Sequence, residues 1–211
     1  MENERLLKTE IANALSHGIG VILALAFGPL LVTMAQNSGV KNLGLGTAAY
    51  TLGIFMVFSF STLYHAVFNP VAKRALRILD HISIFFLIGG TYIPFIILFT
   101  EPNTAKTFFI VQWSLIALGI IKKVFYTGRF RLLSSLIYIF IGCMIFFFDR
   151  GFWGRIPDVP FYFLVAGGLS YLVGVIFYQN QKIPYNHFIW HLFVLFAAIF
   201  HFAAVYLVAS K

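Results

Sequence analysis

The last long segment of the chain, residues 187–209, reads "HFIWHLFVLFAAIFHFAAVYLVA" and contains no Asp, Glu, Lys or Arg. A helix needs roughly 20 mostly apolar residues to cross the hydrocarbon core of a bilayer, and this segment meets that length. A soluble fold must bury such a helix on every side. The remaining sequence offers no polar shell to do so. Of 211 residues, 60% are hydrophobic, 18% aromatic and only 10% charged, and the mean hydropathy is +0.89. Soluble domains carry about 25% charged residues, so this chain is expected to take lipid as its solvent.

Seven segments satisfy the length requirement, at about 12–34, 43–68, 78–99, 105–124, 132–148, 160–178 and 187–209. The expected fold is a single all-α, seven-helix integral membrane domain over residues 1–211. The connectors "AQNSGVKN", "NPVAKRA", "TEPN", "KKVFYTGRFR", "DRGFWGRIPDVP" and "QNQKIPYN" carry the Gly, Pro, Asn and basic residues that punctuate helices. The first apolar run is too long for the core of a signal peptide and is expected to be retained. One cysteine, Cys143, permits no internal disulfide.

Lys and Arg are unevenly divided between alternate connectors. One side holds Arg5, Lys8, Lys73, Arg74, Arg77, Lys122, Lys123, Arg129, Arg131 and Lys182. The other holds Lys41, Lys106, Arg150, Arg155 and Lys211. The positive-inside rule therefore predicts a cytoplasmic N-terminus and an external C-terminus. The net charge of +8 is then a topology signal, and nucleic acid is not an expected partner.

Helix parity makes the polar residues informative. His17 lies early in the first span, His65 ends the second, Asp80 and His81 open the third, and His187 and His191 open the seventh. All belong to one leaflet in a seven-span topology. Ionisable groups inside a membrane are costly unless partnered, which makes such a convergence a functional hypothesis. His187 and His191 lie about 40° apart around a helix and about 6 Å apart along it, so both imidazoles share a face. With His65 they would supply three nitrogen ligands, the donor set of a catalytic Zn²⁺ site with one open position. The alternative is an interfacial pair hydrogen-bonded to neighbouring helices. Ser61 stands one turn before His65 on the same face. Asp80 would orient a ligand or act as general base through water; alternatively it is a helix N-terminal residue paired with Arg77.

Glu10, Asn13 and His17 share one face of the first helix at spacings of three and four, a polar stripe expected to support the site structurally. His81 is about 100° round from Asp80 and is expected to pack or to act from behind the ligands. His201 lies about 15 Å deeper than His191 and is expected to be a satisfied core residue. "HFIWH" has Phe188 where a zincin carries glutamate, so that protease chemistry is excluded.

Taken together and in order, "EIANALSHGIG", "STLYH", "RILDHISIFFLIGGTYIPF" and "HFIWHLFVLFAAIFHF" resemble the bacterial hemolysin III family, within the progestin and adipoQ receptor (PAQR) superfamily that includes adiponectin receptors. The resemblance covers essentially the whole chain. It implies a bacterial plasma-membrane protein with seven helices and a zinc near the cytoplasmic leaflet. His65, His187 and His191 match the family's metal ligands, Asp80 its water-linked aspartate, and Ser61 a polar neighbour. His81 departs from the receptors, which are less polar there. Related alkaline ceramidases hydrolyse lipid amides at a similar site. A zinc-dependent lipid amide or ester hydrolase is therefore the leading expectation, with membrane lipid as substrate. The alternatives are a receptor-like or membrane-homeostasis protein with structural zinc, and an oligomeric pore-forming cytolysin.

Overall fold

The computed structural model describes residues 2–210. The described chain forms α1 (Glu2–Asn37), α2 (Leu43–Ala66), α3 (Pro70–Phe99), α4 (Pro102–Tyr126), α5 (Arg131–Gly142), α6 (Ile145–Phe148), α7 (Phe152–Arg155), α8 (Asp158–Gln179) and α9 (Asn186–Ala209). Six helices are long and apolar enough to cross a membrane: α1 from Leu6 onward, α2, α3, α4, α8 and α9. The fold is all-helical among the described residues, as the long apolar segments predict.

Three boundaries differ from expectation, each for a local reason. The first helix extends well beyond 12–34, because its polar first turns "ENERLLKTE" contain no breaker. The third begins at Pro70 rather than near residue 78, so the connector "NPVAKRA" is mostly helix. Asn69 caps it, its side chain accepting from the Val71 and Ala72 amides at 3.0 and 3.1 Å, and Pro70 occupies the first turn, where no amide hydrogen is needed. The segment expected at 132–148 is broken. After Gly142 the backbone tightens into i,i+3 bonds, with Met144 N to Ile141 O at 3.3 Å and Phe147 N to Met144 O at 3.0 Å.

The broken segment still runs the length of the bundle beside α3. The Tyr138 hydroxyl donates to His81 O about a third of the way along α3, and the Tyr92 hydroxyl donates to Gly142 O about three-quarters of the way along. Phe148 packs edge-on against Phe108 near the start of α4, and Arg155 Nε donates to Phe99 O at the far end of α3.

α1 packs on α2 and α9, α2 on α3, α3 on α4, and α8 on α9, while α5 touches α3, α4 and α8 only lightly. Apolar side chains such as Leu15, Ile22, Leu25, Ile110, Leu118 and Ile176 point outward around the perimeter. Asn13, Ser16, His17, Ser61, His65 and His191 are buried at one end. This polar-in, apolar-out arrangement is what lipid solvation selects.

α2 and α3 meet backbone to backbone. A Cβ at Gly53 would stand 2.9 Å from Phe86 O, and one at Gly90 would stand 2.9 Å from Ala49 O. Small residues at such crossings allow close van der Waals contact in lipid, where no hydrophobic force brings helices together. Gly53→Val is therefore expected to destabilise the fold by about 2 kcal/mol through overpacking. Gly168→Ala, where nothing lies within 4 Å of the added atom, should leave the unfolding midpoint in detergent unchanged. Equal midpoints for the two variants would mean that α2 and α3 can part freely.

Candidate metal centre

α2 ends, and α9 begins, at the end of the bundle where α1 also starts. His65 is the penultimate residue of α2, and His187 and His191 occupy the first two turns of α9. The structure brings these three imidazoles together although more than a hundred residues separate α2 from α9. His65 Nε2 lies 3.3 Å from His187 Nε2, and His191 Nε2 lies 3.1 Å from the same atom. Their ligand atoms all fall within 4.8 Å of one another.

The other ring nitrogens decide what this cluster can do. His65 Nδ1 is 2.7 Å from Glu10 Oε2, and His191 Nδ1 is 3.3 Å from Asn13 O. A carboxylate and a carbonyl can only accept, so both rings carry their proton on Nδ1 and present a bare lone pair at Nε2. His187 can donate one proton to one of these lone pairs, which leaves the other facing a nitrogen with nothing between them. A cation at the centre satisfies all three. The spacing agrees: two ligands at 2.0–2.1 Å in a tetrahedral Zn²⁺ shell are separated by about 3.3 Å. The residues therefore fit zinc, both in donor type and in separation.

Glu10 is itself held by Lys73 Nζ at 3.2 Å, so one carboxylate joins α1, α2 and the first turns of α3. Asn13 contributes its backbone carbonyl rather than its side chain, whose Oδ1 is buried without a hydrogen-bond partner. Ser16, not singled out in the sequence, places its hydroxyl 3.5 Å from His191 Nδ1 and donates to Asn13 O at 2.9 Å. His17 stacks on His191 with ring centres 3.7 Å apart and meets Phe58 edge-on, so it supports a ligand from behind.

Asp80 and Ser61 line the same cavity as the three histidines. The Ser61 side chain approaches the Asp80 carboxyl without a hydrogen bond of normal geometry. Asp80 does not belong to the set of atoms within 4.8 Å. Nor is it paired with Arg77; its one ion-pair contact among the described residues is His81 Nδ1 at 3.9 Å. His81 donates Nδ1 to Arg77 O at 2.7 Å, which fastens the ring to its own helix. His201 donates Nε2 to Leu164 O at 3.2 Å and ties α9 to α8, a satisfied core histidine as expected.

The cavity measures about 850 Å³ and extends from Glu10 and the histidines to Phe152 and Trp153. Its polar end also carries Arg77, Lys123, Arg129 and Arg131. Lys123 was expected in a cytoplasmic loop but is buried in the last turn of α4. Its register was legible, because Phe108, Gln112, Ile116, Gly119 and Lys123 recur at helical spacing along the buried face of α4.

Partners behind metal ligands typically tune affinity by about 10–100-fold. Glu10→Gln is accordingly expected to weaken zinc retention by about that factor against a competing chelator, measured as metal per protein by mass spectrometry. His17→Phe, which preserves the stacking, should leave zinc content within about twofold of the parent, since stacking supplies no metal ligand. Unchanged retention in Glu10→Gln would show that the carboxylate does not prepare the His65 lone pair.

A sequence profile described as "Haemolysin-III related" matches residues 6–202. "Hemolysin-3" of Bacillus cereus is 38% identical over 90% of this chain and 87% of its own length. "Hemolysin-3 homolog" of Bacillus subtilis (strain 168) is 36% identical over 90% and 89%. The human "Monocyte to macrophage differentiation factor" is 26% identical over 92% and 82%. Six apolar spans and bacterial relatives along nearly the whole chain describe a multi-pass protein of the bacterial plasma membrane. The chain belongs to the haemolysin-III related family, within the wider PAQR group.

Proposed function

We propose that the protein is a zinc-dependent hydrolase of lipid amide or ester bonds, working from within the inner leaflet. The observation that carries this reading is the convergence of three Nε2 atoms, 3.1 and 3.3 Å from one another along the His191–His187–His65 path, at the polar end of a long cavity. The Zn²⁺ that these residues would hold supplies Lewis acidity, polarising a carbonyl and lowering the pKa of water towards 7.

The chain's own groups account for the rest. Glu10 and the Asn13 carbonyl fix the tautomers of His65 and His191 and keep both lone pairs directed inward. Asp80 is the carboxylate that faces the cavity without being tied to a cation. It takes a proton from the attacking water and returns it to the leaving amine or alcohol. The Ser61 hydroxyl, buried beside it, orients that carboxyl. Phe146, Trp153, Leu169 and Leu172 line the far half and suit an acyl chain. The same apolar lining counts against an aqueous pore through a single chain, which needs continuous polar walls.

His191→Ala is expected to lose both zinc and turnover. Asp80→Asn should keep its zinc but lose about 10²–10⁴-fold in turnover, the usual share of a general base. Release of labelled fatty acid from amide and ester lipids in nanodiscs measures both. Equal turnover by zinc-loaded and metal-stripped protein would sink the hydrolase.

The same proposal places the N-terminus in the cytoplasm and the C-terminus outside, with residues 131–148 as the fifth of seven crossings. A C-terminal alkaline phosphatase fusion is then expected to be active in intact cells, and an inactive fusion beside a fluorescent C-terminal GFP fusion would reverse the assignment.

A further inference from the structure

The wall of the cavity on the α3–α4–α5 side is not needed to hold a metal, yet it concentrates positive charge. Lys123 is only 5% exposed. Among the described residues its Nζ makes no hydrogen bond or ion pair, and it lies 5.4 Å from the centroid of the Tyr138 ring. A buried ammonium without a counter-charge costs several kcal/mol in effective desolvation. Arg131 sits over the Tyr178 ring, its guanidinium carbon 3.8 Å from the ring centre, and donates from Nη2 to Tyr178 O. Its Nε is buried with no acceptor.

Arg77 reaches across from α3 to the α4–α5 turn. It packs on Gly128, whose φ of +84° and lack of Cβ leave room for the guanidinium; a Cβ there would stand 2.8 Å from Arg77 Nη2. With Arg129, the lining holds four basic side chains, of which Arg77 and Arg129 are exposed, against two carboxylates, Glu10 and Asp80. Glu10 is already shared between His65 and Lys73. Asp80 and His81 both lie within the electrostatic reach of Lys123 and Arg77, and Asp80 pairs with neither.

We propose that Lys123, Arg77 and Arg131 form a headgroup subsite for a phosphate-bearing amphiphile whose chain lies along the apolar half of the cavity. The inference rests on the lipid-binding part of the proposed function but not on hydrolysis. Three cations contributed by three helices exceed what a singly charged carboxylate neutralises. Arg forks match the several acceptor oxygens of phosphate, and the buried Arg131 Nε supplies an unused donor. The inner leaflet is also where anionic phospholipids are enriched.

The full-length protein in phosphatidylcholine nanodiscs provides the test, by calorimetric titration with dodecyl phosphate, neutral 1-dodecanoylglycerol and inorganic phosphate, against empty nanodiscs as blank. Dodecyl phosphate is expected to bind at least about tenfold more tightly than either comparator, the scale of a charge-assisted contact. Lys123→Gln should lose about tenfold of that affinity, and Lys123→Arg should keep it within about threefold, because charge is what the site reads. If Lys123→Gln does not fold, Arg131→Gln carries the same expectation.

Equal affinity for the neutral amphiphile, or unaltered binding in the Gln variants, overturns the subsite. Inorganic phosphate binding as tightly as dodecyl phosphate overturns the amphiphile and leaves a site for a soluble anion. The titration is repeated after chelation, where binding should persist. Charge-selective binding without lipid turnover refutes the hydrolase alone; turnover without charge selectivity refutes the headgroup subsite alone.

Discussion

Two imidazole N–H groups, each aimed at an acceptor on α1, govern how this molecule is put together. His65 donates to the Glu10 carboxylate and His191 to the Asn13 carbonyl. Either bond left unmade strands a buried imidazole N–H at a cost of a few kcal/mol. Making both requires α1 to sit between the end of α2 and the start of α9, which is the packing observed. Once the two protons are committed, both lone pairs face His187 Nε2, which can donate to only one of them, and the site becomes electron-rich by construction. The stripe of Glu10, Asn13 and His17 on α1 is thus the surface against which the ligands are set, although none of the three need touch a metal.

The remaining helices divide into a tight wall and a loose one. α1 packs closely on α2, α2 meets α3 through small residues such as Gly53 and Gly90, and α8 packs firmly on α9. α5 is held less closely, and there the cavity opens among Tyr138, Tyr178, Leu169 and Leu172. A rigid ligand-bearing side facing a thinly packed side suits an amphiphile. The metal ligands must be held to within a few tenths of an ångström, whereas an acyl chain needs volume more than precision.

The clustering of three histidines was legible in the sequence because each clue was local or additive. Histidines four residues apart must share a face, and His65 at the end of one apolar segment and His187 at the start of another are expected at the same end of the bundle, which is where the structure brings them together. Polar residues near the helix ends were read less well. "NPVAKRA" resembles a break because it joins Pro to basic residues, yet Asn69 and Pro70 are the cap and first turn that start a helix, and Lys73 consequently reaches Glu10. Lys123 beside Lys122 looks like a loop pair. Only its register with Gln112, Ile116 and Gly119 places one lysine inward while Lys122 turns to Ser134. The second contacts of Asn13 and Ser16 run through a backbone carbonyl, which carries no residue-type signal at all.

The break after Gly142 shows why hydropathy alone misjudges the fifth segment. Residues 132–148 are apolar enough to suggest one uninterrupted helix, and hydropathy does not report whether an amide bonds to the third or the fourth residue back. Met144 and Phe147 take the i,i+3 option. Gly142 O gains the Tyr92 hydroxyl as a donor, so the carbonyl at the end of α5 is satisfied from α3 instead of by the next helical turn. The interruption is tolerable in lipid for that reason: backbone irregularity survives at membrane depth where protein, not hydrocarbon, meets the freed groups. Gly142 and Cys143 line the cavity at this same point, beside Tyr92. The irregular backbone and the internal space therefore coincide, and a helix broken at Gly142 packs less closely on its neighbours than a continuous one would.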